Sequence, residues 1–192
     1  MSNEQLAERM HYTNPELLNR LYDEGRDVVV IFSHYCNWEW TNISPAVTRH
    51  LNVPVYRPLN NKHFDRFMFN IRSRNVCKPV AMANIVREIL TNRRNNIKAL
   101  YGLISDQTPP RAEIKYRTTF LNQDTPVYLG AEKIAAKYDM PVLFLNIQKV
   151  RRGYYTYTME LLFEHTKGLP EYLITDTHVK RLEEIINQKP EY

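Results

Sequence analysis

Glycine is scarce in this sequence, and its spacing excludes the familiar phosphate-binding loops. The glycines lie far apart along the chain, at Gly25, Gly102, Gly130, Gly153 and Gly168. P-loops and dinucleotide-binding loops need closely spaced glycines, because their backbone must approach a phosphate. HExxH and GxSxG patterns are also missing, which argues against a zinc protease and against a serine hydrolase.

Long apolar runs are missing too. No stretch approaches the roughly 20 apolar residues that span a bilayer. The longest run, Val28 to Phe32, has the length of a strand. The start of the sequence lacks the basic and apolar regions of a secretory signal peptide. We therefore expect the chain as given to be soluble.

Cysteine is almost absent. Cys36 and Cys77 form neither a CxxC motif nor a metal-ligand pattern, so we expect no metal site. Two separated cysteines in a chain of this size are typical of a reducing compartment, where both remain thiols. A single disulfide between them is the alternative.

The overall composition is that of a single folded domain that covers residues 1–192. The domain carries a net positive charge. Apolar residues form 43% of the chain and charged residues 24%, which is typical of a globular protein. The net charge of +5 and the pI of about 9.1 suit an anionic partner. Nucleic acid, an acidic carrier protein and an anionic membrane surface all fit, and composition does not choose among them.

Helical and strand patterns alternate along the chain. Helical periodicity with proline starts and polar caps predicts helices over residues 15–24, 38–50, 61–73, 83–94, 127–138 and 176–187. Runs of β-branched and aromatic residues predict strands over 27–33, 53–56, 97–104, 142–150 and 154–163, the last two as a hairpin. Residues 106–119 are predicted to form a loop. This alternation predicts an α/β fold with a mixed, largely parallel sheet covered by helices on both faces.

The segment from His34 to Glu39 directly follows the strongest predicted strand, where the chemistry of such sheets usually gathers. Residues five apart in a continuous helix point about 140° away from each other, so these two side chains meet only across a turn. The chain would reverse direction between them if the strand ends at His34 and a helix begins after Asn37. Asn37 would then be the N-cap, and Glu39 would lie in the first turn of the helix. The carboxylate would then orient the imidazole and raise its basicity. An ordinary strand-end histidine beside an ordinary first-turn glutamate is the alternative.

The same segment also resembles a known sequence motif. Its pattern, H-x-x-N-W-E, resembles the signature of the lipid A biosynthesis acyltransferases of the lauroyl and myristoyl type. Further blocks resemble that family in the same order: Tyr56-Arg57-Pro58 followed by Arg72, Ser105-Asp106-Gln107, and Phe120 to Gly130. Together the blocks cover residues from about 27 to 192. Cys36 and Asn122 stand where the family usually has glycine.

The resemblance implies a fold like that of the glycerolipid acyltransferases and an O-acyl transfer. The acyl group would move from a thioester on acyl carrier protein, or on coenzyme A, to a hydroxyl of a lipid A precursor. An amino-acid lipid and a glycolipid remain alternative acceptors. A thiol leaving group, with a pKa of about 8.5, is far more acidic than an alcohol. The thioester is therefore already activated, and neither a cofactor nor a covalent intermediate is needed.

The resemblance also implies roles for individual residues. His34 would act as general base with Glu39 as its partner, and Arg72, with Arg57 second, would stabilise the oxyanion or bind phosphate. Asn37, Asp106 and Gln107 would organise the site or the acceptor. Five aromatic side chains are candidates for the wall of an acyl tunnel, or for plain core: Phe32, Trp38, Trp40, Phe120 and Tyr128.

The resemblance further implies a location. The family begins with a membrane helix and ends with a basic segment, so we expect this chain to be an internal piece of a longer protein. That protein would act at the cytoplasmic face of the bacterial inner membrane. We expect acyl carrier protein, a lipid acceptor and the anionic membrane surface as partners.

Three other interpretations compete with this one. Cys36 could act as a nucleophile with His34, although adjacency in sequence gives these groups poor geometry. A basic nucleic-acid-binding domain would suit the arginine clusters beside aromatic residues, but it leaves the ordered blocks unexplained, so we expect no nucleic-acid partner. A non-catalytic relative that serves as a binding subunit is the third, and the intact His34/Glu39 pair argues against it.

Overall fold

The computed structural model of the chain describes residues 3–42, 48–73 and 77–192. Within them lie a seven-stranded sheet and a separate two-stranded hairpin. The strands are β1 (Met10–Tyr12), β2 (Val28–Phe32), β3 (Leu51–Tyr56), β4 (Val80–Ala81), β5 (Ala99–Ile104), β6 (Arg117–Phe120), β7 (Gln123–Pro126), β8 (Val142–Arg151) and β9 (Tyr154–Phe163). The helices are α1 (Asn3–Arg9), α2 (Pro15–Asp23), α3 (Lys62–Arg72), α4 (Ile85–Arg94), α5 (Gly130–Tyr138) and α6 (Leu173–Gln188).

The large sheet is mixed but mostly parallel, as the alternation of elements predicted. Its strand order is β1-β9-β8-β2-β5-β3-β4. Strands β8, β2, β5, β3 and β4 run parallel to one another. Strand β9 returns antiparallel to β8 through the predicted hairpin, and β1 lies along β9. The predicted α/β fold is therefore confirmed.

Strand β2 lies at the centre because every one of its side chains is apolar and buried. Val29 and Ile31 pack on the sheet face that α4, α5 and α6 cover. Val28 and Val30 pack on the opposite face against leucines of α1 and α2. Alternate residues of a strand point to opposite faces, so a continuous β-branched run indicates a strand with helices on both sides.

A buried carboxylate fixes the start of this central strand pair. Asp27 accepts a hydrogen bond from the Ala99 backbone nitrogen at 3.1 Å and one from Arg93 Nε at 2.9 Å. One side chain thus joins the entry of β2 to the entry of β5 and to the end of α4. Its charge is buried but paired, which is the condition under which proteins tolerate a buried charge.

The predicted helix over residues 38–50 is wrong. Trp38–Asn42 form a short 3-10 helix, residues 43–47 lie outside the described residues, and residues 48–50 are not helical. Tryptophan, threonine and asparagine are weak helix formers. The Thr41 hydroxyl also donates to the Trp38 carbonyl oxygen at 2.7 Å, a local bond of the kind that competes with helical hydrogen bonding.

The predicted loop over residues 106–119 is partly wrong, because its end belongs to the hairpin β6–β7. The register pairs Phe120 with Gln123 and leaves Leu121 and Asn122 as a two-residue turn. Both turn residues have positive φ, as the hairpin turn of this length requires. Asn122, which stands in place of the family's glycine, is the residue type after glycine that best tolerates this conformation.

Two helices begin elsewhere than predicted. Helix α5 begins at Gly130 rather than at residue 127, and α6 begins at Leu173 rather than beside Asp176. Asp176 therefore lies inside α6, and its carboxylate accepts a hydrogen bond from the Tyr116 hydroxyl. None of the helices in the described residues is long and apolar enough to cross a membrane.

We predict that Asp27→Ala lowers the free energy of unfolding by about 2–4 kcal/mol. The substitution leaves the buried Ala99 N–H without an acceptor and Arg93 without its counter-charge. Asp124→Ala is the matched control, because Asp124 pairs with Arg117 at the surface and should cost no more than about 1 kcal/mol. Urea denaturation of both variants checks the difference, and equal midpoints would contradict the role given to Asp27.

Candidate active site

A cleft of about 460 Å³ opens at the edge of the sheet where the parallel strands end. Its walls come from the segments that follow β2, β3, β4 and β5. Polar groups reach it from His34, Arg57, Arg72 and Gln107, and its apolar wall includes Phe32, Ile104 and Met82. A cleft that combines an apolar wall with a few convergent polar groups is the usual form of a binding site for a small molecule.

Asp106 holds His34 at two points. Its Oδ1 lies 2.8 Å from His34 Nδ1, and its Oδ2 accepts a hydrogen bond from the His34 backbone nitrogen, also at 2.8 Å. The strand pairing brings the two residues together, because Ser105 N–H donates to the Phe32 carbonyl oxygen one step earlier. A carboxylate at Nδ1 favours the tautomer with the proton on that nitrogen, which leaves Nε2 as the basic atom.

The turn after His34 depends on a strained residue. Cys36 has a φ of 57°, in the left-handed region that favours glycine, and it occupies the position of the family's usual glycine. Its neighbours hold the turn in place: the Tyr35 hydroxyl donates to the Lys189 carbonyl oxygen at 2.9 Å, and the Tyr157 hydroxyl donates to the Asn37 carbonyl oxygen at 3.0 Å. The turn therefore keeps a conformation that costs a non-glycine residue about 1–2 kcal/mol.

Glu39 forms a bidentate pair with Arg72. Arg72 Nε donates to Glu39 Oε1 at 2.8 Å, and Arg72 Nη2 donates to Oε2 at 3.0 Å. This arrangement of two parallel bonds is the strongest and most directional form of a carboxylate–guanidinium contact. It presents the rest of the guanidinium to the cleft that Arg72 lines.

Trp38 lies between the two pairs. Its ring packs edge-on against the His34 imidazole with ring centroids 4.7 Å apart, and the Arg72 guanidinium carbon lies 5.9 Å from the Trp38 ring. The sequence indicated Trp38 as a wall residue only. Its contact with both His34 and Arg72 depends on the 3-10 turn, which the sequence pattern did not predict.

The predicted partnership of His34 and Glu39 stays a prediction. The hydrogen bond to His34 Nδ1 comes from Asp106, which the sequence assigned to organising the site, and the bidentate contact of Glu39 goes to Arg72. The two acidic residues thus serve different basic partners in this structure. Asp106 lies 72 residues from His34, so spacing within one motif carries no signal of this contact.

Some of the other candidate residues line the cleft and some do not. Arg57 and Gln107 are exposed and line the cleft beside His34. Asn37 lies at the start of the 3-10 turn and is not among the described residues that line the cleft. Of the predicted aromatic wall, Phe32, Trp38 and Tyr128 line the cleft. Trp40 instead packs against Tyr155, and Phe120 packs beside α6.

Both cysteines are thiols, as predicted. Burial raises the pKa of the Cys36 thiol above its usual value, and it raises that of Cys77 to about 12. A raised pKa keeps the thiol protonated at neutral pH, whereas a nucleophilic cysteine needs its thiolate. The described residues contain no cluster of three or more side chains able to hold a metal ion.

One comparison with known proteins identifies a family. The sequence model of the bacterial lipid A biosynthesis acyltransferases matches residues 1–192, the whole chain. A search of curated protein sequences found no match. The family match covers every element that forms the cleft, including the His34–Glu39 segment and the Asp106 loop. The chain belongs to the bacterial lipid A biosynthesis acyltransferase family.

Proposed function

We propose that this chain is an O-acyltransferase that moves a fatty acyl group from a thioester to a hydroxyl of a lipid A precursor, with His34 as general base. The observation that carries the proposal is the contact of Asp106 with His34 Nδ1 at the wall of the cleft. It directs the basic Nε2 away from Asp106, and no described residue hydrogen-bonds to that atom. A carboxylate that orients a histidine base is the arrangement that serine hydrolases use on unrelated folds.

The proposed reaction has two steps. His34 Nε2 takes the proton of the acceptor hydroxyl while the hydroxyl oxygen attacks the thioester carbonyl carbon, which gives a tetrahedral oxyanion. The oxyanion then collapses, the carbon–sulfur bond breaks, and the departing sulfur takes the proton back from the imidazolium. The products are an ester and a thiol. Asp106 keeps its hydrogen bond to Nδ1 and stabilises the imidazolium that forms between the steps.

Arg72 is the proposed oxyanion donor. Glu39 engages its Nε and Nη2, and no described residue accepts a hydrogen bond from Nη1. A guanidinium fixed in this way needs little rearrangement when negative charge develops on the carbonyl oxygen. In this proposal Glu39 acts through Arg72 as a positioning residue, and the orientation of His34 by Glu39 is the competing arrangement.

The acyl donor is proposed to be acyl carrier protein, with coenzyme A as the alternative. Lys149, Arg151 and Arg152 lie at the carboxyl end of β8, which runs parallel to β2 and so ends at the edge of the sheet that bears His34. A basic group at that edge suits an acidic carrier. The two free thiols suit a reducing compartment, which supports the cytoplasmic face of the inner membrane as the place of the reaction.

The acceptor is the least determined part of the proposal. An amino-acid lipid or a glycolipid also presents a hydroxyl near a polar headgroup, and Arg57 and Gln107 could contact any of them. Mass spectrometry of lipids from cells with and without this protein identifies the acceptor. An acyl group missing from lipid A in cells without the protein supports the proposed acceptor. Unchanged lipid A together with a change in another lipid would show that the other lipid is the acceptor.

We predict that His34→Ala lowers acyl transfer by roughly 10²–10⁴-fold, the usual cost of a lost general base. Asp106→Asn should lower kcat by a similar factor, because an amide can hold the wrong tautomer. Transfer from a radiolabelled acyl thioester to a detergent-dispersed lipid measures both. Full activity in Asp106→Asn with a folded protein would exclude Asp106 as the partner of the base.

A double-mutant cycle separates the two proposed roles of Glu39. If Glu39 acts through Arg72, then Glu39→Gln and Arg72→Lys should each lower kcat, and the double variant should be little worse than either alone. Glu39→Gln combined with Asp106→Asn should instead be close to additive. The reverse pattern would show that Glu39 acts on His34. Arg72→Lys should lose most of the activity, because lysine lacks the planar fork.

We predict that Cys36→Gly retains catalytic activity within a few-fold. Glycine relieves the positive φ at this position, and the protonated thiol takes no part in the proposed reaction. Transfer assays and thermal unfolding of the variant check both points. Loss of activity in a stably folded Cys36→Gly protein would revive Cys36 as the nucleophile of an acyl-enzyme.

A further inference from the structure

Helix α3 lies on the surface with none of its side chains fully buried. Phe64 and Phe67 are 52% and 56% exposed, and their rings stack with centroids 6.0 Å apart. Together with Met68 and Ile71 they occupy one side of the helix at spacings of three and four residues. Soluble proteins seldom leave two adjacent phenylalanines in water, so this stripe calls for a partner.

The opposite side of α3 is polar and basic. Lys62 and Arg66 are exposed there beside His63 and Asn70. Neither basic side chain forms an ion pair with a described residue. An apolar stripe on one side of a helix, with lysine and arginine on the other side, is the pattern of a helix that lies in the interface of an anionic membrane.

A second exposed stripe begins at the same cleft. Met82, Val86 and Leu90 follow one another at four-residue spacing along the 3-10 turn and α4, and all three are exposed. Arg87 is exposed next to Val86. The stripe therefore repeats the combination of apolar and basic side chains that α3 presents.

Apolar residues of both regions lie next to the cleft. Met82 lines the cleft directly, and so does Leu59, which is exposed just before α3. Met68 lines a smaller pocket that shares Leu59 and Arg72 with the cleft. Exposed apolar side chains therefore lie next to the cleft in the segments that follow β3 and β4.

We propose that this surface, formed by Leu59, Phe64, Phe67, Met82, Val86 and Leu90, docks the catalytic domain onto an anionic lipid bilayer. Lys62 and Arg66 on the polar side of α3, and Arg87 beside Val86, favour an anionic bilayer as the occupant, because a helix that lies in a membrane interface holds such basic side chains at the level of the anionic headgroups. The inference rests on the proposed function in one respect, namely that the acceptor is a lipid that enters the cleft from that bilayer.

The proposed surface changes the expected salt dependence of membrane binding from the one that net charge alone predicts. A charge of +5 gives a modest attraction that disappears with added salt. Phenylalanine side chains that enter the acyl region add an apolar contribution that salt does not screen. Binding should therefore fall with salt and then level off rather than vanish.

The test uses cosedimentation of the full chain with vesicles of phosphatidylcholine and phosphatidylglycerol. The double variant Phe64→Ser/Phe67→Ser should bind at least roughly tenfold more weakly, since two large apolar side chains no longer leave water. Val150→Ser is the matched control, because Val150 is 66% exposed at the β8–β9 turn, outside the proposed surface, and its loss should change nothing. Lys62→Glu/Arg66→Glu should remove the salt-sensitive part of the binding.

Acyl transfer measured in two settings separates this inference from the proposed function. The double phenylalanine variant should transfer normally to a detergent-dispersed acceptor and poorly to the same acceptor in vesicles. Equal vesicle binding by variant and wild type would overturn the docking surface, as would a dimer that the phenylalanine substitutions dissociate. Absence of transfer by the wild type in detergent would instead overturn the proposed function and leave the vesicle result intact.

Discussion

The contact between Asp106 and His34 joins two strand ends, and the rest of the site is arranged around it. The hydrogen bonds of the β2–β5 ladder continue past the last paired residues, from Ser105 to Phe32 and then from His34 to Asp106. The same ladder is fixed at its other end by the buried Asp27, which accepts a hydrogen bond from the first residue of β5. The geometry of the candidate base is therefore a property of the central sheet, and a rigid sheet positions such groups more precisely than a loop.

A second contact, between Glu39 and Arg72, holds a positively charged group at the site. The Glu39–Arg72 pair connects the turn after β2 to the end of α3, and Trp38 packs between this pair and the His34 ring. Because α3 also bears the exposed phenylalanine stripe, the helix that supplies the proposed oxyanion donor is the helix that would touch the membrane. Docking and catalysis would then share one element, which would hold the cleft mouth at the lipid surface.

The sequence predicted the sheet well because its signals are local. The apolar run of β2 and the hairpin of β8 and β9 each depend on neighbouring residues alone. Four of the residues that the family resemblance indicated, His34, Arg57, Arg72 and Gln107, line one cleft. The contact of Asp106 with His34 did not emerge from the sequence, because spacing within one motif favours Glu39 and gives no information about a residue that follows another strand. The α-helix predicted after Asn37 failed because Trp38–Asn42 take the tighter 3-10 form.

The protonation of the His34 ring tests the central claim most directly. Nitrogen-15 NMR of histidine-labelled protein at mildly alkaline pH, with a His34→Asn variant to assign the signal, reports which ring nitrogen carries the proton. The account predicts a proton on Nδ1, held by Asp106, with Nε2 unprotonated and able to act as base. A neutral ring with its proton on Nε2 would contradict the account, because His34 would then have no basic nitrogen directed at an acceptor hydroxyl.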